Sequence, residues 1–242
     1  MPDVGDFGGG FPDLASVIDD PLFPRLDQAL RSGLHVDRRV PGDYHYLVDA
    51  QKWLEHHYQR YGADLVHAPD GFFYLRPVGD RLPVRRLTPA EMLVGQTLAL
   101  FALEPATLEA GHLTRAQILE RLRDLMGTDK VLRALRPKAK AVRAQHRAEA
   151  EARQALMATL KRLARLGFVD LLDDDRVAPR DALMRFVEPA RGAEDLVAAL
   201  ERLVRAGDVE LLTEDDAAED SAAEDAPDED AAEAEDDDEE SP

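Results

Sequence analysis

The sequence predicts a mainly α protein with small β-hairpin wings, built from two winged-helix domains in tandem. Three observations carry that expectation. First, residues 154–180 read as an amphipathic helix with Leu156, Leu160, Leu163 and Leu166 on one face, and then a glycine stop at Gly167. A short apolar strand (168–172), an acidic turn (Asp173, Asp174, Asp175) and a second strand (176–178) complete a helix-plus-wing pattern. Second, the same order occurs once earlier. A helix over 44–61 stops at Gly62, and strands 64–67 and 72–75 flank the Ala68-Pro69-Asp70-Gly71 turn. Third, 45% apolar residues in a chain of 242 suffice for one large or two small cores.

Taken in order, the glycine-rich start predicts a flexible leader over 1–19, with Gly8, Gly9 and Gly10 in a row. Residues 20–87 form the first expected domain. Pro21 and Pro24 open a helix whose apolar face is Leu22, Leu26, Ala29 and Leu30, His35-Val36 follows as a short strand, and the helix and hairpin above close the unit. In that second helix Leu47, Trp53, Leu54 and Tyr58 are the expected core.

Residues 88–212 form the second domain. Thr88-Pro89-Ala90-Glu91 has a capping residue, a proline at the first helical position and a glutamate three residues after the cap. The helix it starts, through Leu103, is apolar almost all round, which suits either a central core helix or a subunit interface. Thr114 caps a further helix bearing Ile118, Leu119, Leu122 and Leu125. Residues 128–145 read as irregular and basic, broken by Pro137. The long helix and its wing come next. A last helix over 193–206 offers Leu196, Val197, Leu200, Leu203 and Val204 to the core. Residues 213–242, rich in acid and alanine, bury too little apolar surface to offset their ordering entropy and are expected to be disordered.

The net charge of −19 is unevenly distributed. That last segment carries 17 acidic and no basic residues; without it the remaining 212 residues carry −2. Residues 130–165 hold 11 Lys and Arg against Glu149 and Glu151. A basic segment in a near-neutral body is a candidate phosphate-binding surface. With Leu160 as the centre of the buried face, Lys161, Arg165 and Arg162 lie about 100°, 140° and 200° away at 3.6 residues per turn. Arg147 shares their sector, Arg153 sits nearer the core edge, and Lys138, Lys140 and Arg143 precede the helix. Surface arginines often do no more than solvate a face; their concentration beside a wing favours DNA phosphates. The face lacks an array of Asn and Gln, which argues against base reading.

Other chemistry is weakly signalled. His45 and Asp49 share a helical face, and ordinary surface polarity explains them; a polar turn explains Asp173 to Asp175 better than a cation site. No phosphate-cradling glycine loop, nucleophile elbow or paired Glu/His motif occurs, so neither an enzyme nor a cofactor or metal is expected. The absence of cysteine suits a reducing cytoplasm. No apolar run approaches the roughly 20 residues of a membrane span, and no secretory signal is recognisable. The acidic segment reads as a solubility extension, with competition for the basic face as the alternative.

Several blocks resemble one family. Pro21-Leu22-Phe23-Pro24, Leu26-Asp27, Ala29 to Gly33 and His35, together with Ala68-Pro69 and Gly71 to Pro77, are similar to the N-terminal region of MukE proteins. Leu160, Arg162-Leu163, Arg165-Leu166-Gly167 and Arg185-Phe186 fit the same family. MukE proteins are accessory subunits of bacterial MukBEF condensins. The resemblance implies a non-catalytic tandem winged-helix homodimer that embraces the kleisin MukF, itself bridging the heads of the SMC ATPase MukB, and helps clamp double-stranded DNA without sequence preference at the nucleoid. That family's last helix also bears basic residues where this chain has Glu151, Met157 and Ala164, so Arg162 and Arg165 are the positions that carry over. A winged-helix transcription regulator and a pure protein-interaction module remain the alternatives.

Overall fold

The computed structural model describes residues 10–79, 81–82, 86–135, 145–173 and 175–206, all within one compact unit that ends at Asp208. It is mainly helical with two small antiparallel sheets. The expected leader residues 1–9 and the acidic segment 213–242 lie outside the described residues.

The first half begins earlier than the sequence suggests. Residues 14–19, expected in the leader, form helix α1 (Leu14–Asp19), capped by Asp13, whose side chain accepts the Ser16 N–H. Val17 is fully buried, and Trp53 Nε1 donates to Phe11 O at 2.9 Å. Three apolar residues too few for a periodic signal hid this element. Helices α2 (Phe23–Arg31) and α3 (Pro41–Gln59) follow, separated by β1 (Val36–Asp37). Hairpin β2 (Ala63–Ala68) and β3 (Phe72–Pro77) pairs Leu65 with Leu75, and β1 joins the free edge of β3, Val36 against Phe73. Leu47, Leu54 and Tyr58 are buried as expected; Trp53 is half-buried, its indole nitrogen needing the polar partner it finds.

The second half is organised on α4 (Pro89–Ala102), whose capping box is complete in both directions. Leu93, Val94, Leu98, Ala99 and Leu100 are all buried within the same chain. The all-round apolar pattern thus marks a central core helix, with Met92, Phe101 and Ala102 only partly buried. Helix α5 (Pro105–Ala110) and strand β4 (Leu113–Thr114) lead to α6 (Arg115–Met126), also closed by a capping box. Residues 128–135, expected to be irregular, form α7 (Thr128–Leu135), with Val131 and Leu135 buried. Its apolar positions are four apart over only two turns, a signal that the neighbouring basic residues swamp.

Helix α8 (Gln145–Arg165) buries Leu156, Leu160 and Leu163, and Leu166 just past its end; each such burial is worth about 2 kcal/mol. Strands β5 (Val169–Leu171) and β6 (Arg176–Pro179) form the second hairpin, with β4 on the far edge of β6, so that the second sheet repeats the order of the first. A 3-10 segment (Asp181–Ala190) and α9 (Leu196–Ala206) close the unit. Leu200 and Val204 are buried, but Val197, expected on the core face, is exposed. Gly95 explains how closely α4 and the 3-10 segment pack: a Cβ there would lie 2.2 Å from the Phe186 ring.

Candidate nucleic-acid interface

The buried residues of α8 and its end are Ala152, Leu156, Thr159, Leu160, Leu163 and Leu166. Their mean direction lies to one side of Leu160. At 3.6 residues per turn, Lys161 and Arg165 then stand about 170° and 150° from the centre of the buried face, and Arg162 only about 90°. Lys161 and Arg165 are exposed one turn apart, and neither forms an ion pair among the described residues. Like charges at that spacing repel, and an anion laid across both relieves the repulsion.

The other candidates are placed differently. Arg162 turns toward α4, with its Nε 3.3 Å from Glu91 Oε1. Arg153 lies on the opposite flank, 3.8 Å from Glu149, which also faces Arg123 at 3.8 Å. Arg147 is within α8, but its side chain is outside the described set. Lys138, Lys140 and Arg143 lie outside the described residues altogether. The structure therefore brings Lys161 and Arg165 together and separates Arg162 and Arg153 from them.

The β5–β6 hairpin is joined by an acidic segment, residues 173–175. Asp173 accepts the backbone N–H groups of Asp175 and Arg176 and the Arg176 guanidinium at 2.6 Å, which together pull its carboxyl down to about 2. Asp173 is thus ionised throughout the neutral range and offers phosphate no attraction. Among the described residues no group of three or more His, Asp or Glu is arranged to hold a metal, and His45 and Asp49 are exposed.

A seam between the two halves fixes where α8 and the β5–β6 hairpin sit. The His35 N–H and ring Nδ1 both lie 2.9 Å from Leu166 O, at the end of α8. Arg185 Nη1 lies 2.7 Å from His35 Nε2, with its guanidinium 4.3 Å over the Tyr74 ring. This network is consistent with a neutral imidazole that donates through Nδ1 and accepts at Nε2. Burial, then the Arg185 charge, pushes the His35 pKa down to about 3. Beside it Arg180 Nη2 and Nε grip Asp37 at 2.6 and 3.0 Å, with Asp37 fully buried. A cavity of about 390 Å³ opens against this seam, lined by Leu75, Met92, Phe168 and Phe186 with Arg86 and Arg185. Sequence reasoning missed all of it, because His35 and Arg185 stand 150 residues apart and neither belongs to a periodic pattern.

The His35 environment makes stability depend on pH. Because the folded pKa is depressed, the unfolded chain takes up a proton below about pH 6.5 that the folded chain refuses until near pH 3. Stability is therefore full above 6.5 and falls on acidification, by about 2 kcal/mol between pH 7 and 5. Urea unfolding at several pH values should show this slope, and His35→Gln should remove that part of it. An unchanged slope in the variant would show that His35 is not the group responsible.

Comparison with known proteins places this architecture. Residues 12–241 match the family model described as the MukE-like family. The chain is 33% identical over 187 residues to "Chromosome partition protein MukE" of Haemophilus ducreyi, covering 75% of this chain and 77% of that one. It is 35% identical to the protein of that name from Actinobacillus succinogenes, covering 75% of each chain. For the Escherichia coli relative of that name, identity is 32%, over 75% of this chain and 81% of the other.

Proposed function

Because this chain belongs to the MukE-like family, we propose that it is a non-catalytic chromosome-partition subunit of a MukBEF-type condensin. In this reading two winged-helix halves, 20–87 and 88–212, dimerise, bind the kleisin MukF, and help clamp double-stranded DNA on the MukB heads at the nucleoid. ATP is bound by MukB. No helix among the described residues is long and apolar enough to cross a membrane.

The single observation that supports DNA contact is the exposed Lys161 and Arg165 pair on the far side of a leucine-backed helix. The sequence adds Arg147, Lys138, Lys140 and Arg143 to this proposal as further basic residues. Contact of this kind is with phosphate, so it should be steeply salt-dependent and indifferent to sequence. A few phosphate contacts give a Kd of roughly 10⁻⁴ to 10⁻⁶ M at physiological salt. Useful affinity would then come from dimerisation and the attached ATPase through effective concentration.

The test is DNA retention by the assembled complex carrying Lys161→Glu and Arg165→Glu together. Retention should fall at least tenfold at moderate salt, and the slope of log K against log salt should drop by about 2. Unchanged retention would leave the basic face as a solvated surface or a site for an acidic protein. A strong preference for one sequence by the unaltered dimer would favour a transcription regulator.

A further inference from the structure

We propose that Arg162 is a positioning residue, held against Glu91, and that phosphate at this face is met by Lys161 and Arg165 without it. The inference rests on the reading of α8 as the DNA-facing helix and divides the labour within it. Glu91 is 1% exposed and sits in the first turn of α4. Its Oε2 accepts the Thr88 N–H at 2.7 Å and closes the capping box, while its Oε1 faces Arg162 Nε at 3.3 Å. Both atoms are shut off from solvent and meet as an ion contact without hydrogen-bond alignment, although the arginine side chain as a whole is 41% exposed.

Two physical consequences follow. A carboxylate out of water loses heavily if a facing cation is drawn away, whereas a phosphate contact at an exposed surface returns little. Arg162 therefore stays with Glu91 when DNA is present. The pair also ties the last two turns of α8 to the start of the central helix. Lys161 precedes Arg162 by one residue and Arg165 follows it by three, so this tie sets where both cations are presented. Lys161 and Arg165 can swing onto phosphate at no such cost, since neither has an ion pair to break among the described residues.

The experiment is a fluorescence-anisotropy titration of the full chain with a random-sequence duplex over a range of salt concentrations. Lys161→Gln and Arg165→Gln should each lower the slope of log K against log salt by about 0.9, the value for one phosphate contact. Arg162→Gln should weaken binding about three- to tenfold with the slope unchanged. Combining Arg162→Gln with Glu91→Gln replaces the ion pair with two neutral amides and should restore most of the lost affinity, which no loss of a phosphate contact would allow. If Arg162→Gln does not fold, Arg162→Lys serves. It keeps the charge but lacks Nε, so affinity should still fall at constant slope.

A slope lowered by about one in Arg162→Gln, or full affinity in Arg162→Lys, would overturn the inference and make Arg162 a phosphate ligand. No salt-dependent binding by the unaltered chain would remove the reading of the α8 face together with it, a result distinct from either.

Discussion

Arg180→Ala is expected to lower the free energy of unfolding by about 3–5 kcal/mol, the range for removing one partner of a buried, bidentate ion pair. Its guanidinium reaches Asp37 through two nitrogens, and the side chains are 10% and 0% exposed. Asp37 ends β1 in the first half, while Arg180 follows β6 in the second, so the pair closes the seam from both sides. Truncation leaves a buried carboxylate whose remaining donor among the described residues is the Arg39 N–H, 3.0 Å from Oδ1. Arg39→Ala is the control. Its 3.5 Å pair with Asp170 is exposed at both ends and should contribute under about 1 kcal/mol. Replacing Asp37 and Arg180 together with leucine should recover much of the loss, because no charge is then left buried. Urea denaturation measures all four proteins. A loss below 1 kcal/mol in Arg180→Ala would mean that water reaches Asp37.

Gly167→Ala should cost nearly as much, about 2–5 kcal/mol. One part is conformational: at φ +79° an L side chain costs about 1–2 kcal/mol. The other part is steric. The new Cβ would lie 2.3 Å from His35 O, a backbone atom that cannot rotate aside, and His35 is tied by two contacts to the residue before the glycine. Gly111→Ala separates the parts. Its φ is +68° in the left-handed region, but a Cβ there meets nothing within 4 Å, so only the conformational cost remains. The difference between the two variants measures how firmly the end of α8 is pressed onto the β1 loop. Equal losses would show that the two halves can part slightly to admit a methyl group.

Both experiments concern residues that a reading of the chain treats very unevenly. Gly167 is visible as a helix stop, yet the close backbone approach that forbids a side chain is not. Asp37 and Arg180 are 143 residues apart, and nothing local distinguishes them from surface charges. Arg162 shows the same divide within the candidate site. Its place on α8 could be counted from the leucines, but the true centre of the buried face depends on Thr159 and Leu166 as well as Leu160. That shift moves Arg162 from the solvent side to the flank, where Glu91 meets it. Glu91, in turn, is legible as the glutamate of a capping box but not as the facing charge of a residue 71 positions on.

By itself the sequence determined the mainly helical class, the two hairpins, the capping box at Thr88, the helix cap at Thr114, and the leucine stripe of α8. Each of these is a local matter, set by side-chain period, by glycine and proline, and by side chains that reach their own backbone within three or four residues. Only the tertiary structure decided that α4 is a central core helix, that Arg162 faces a buried carboxylate, and that His35 is held neutral between Leu166 O and Arg185. Those outcomes depend on which surfaces pack together across a hundred residues or more. A residue's spacing along the chain carries no record of the partner that packing brings to it.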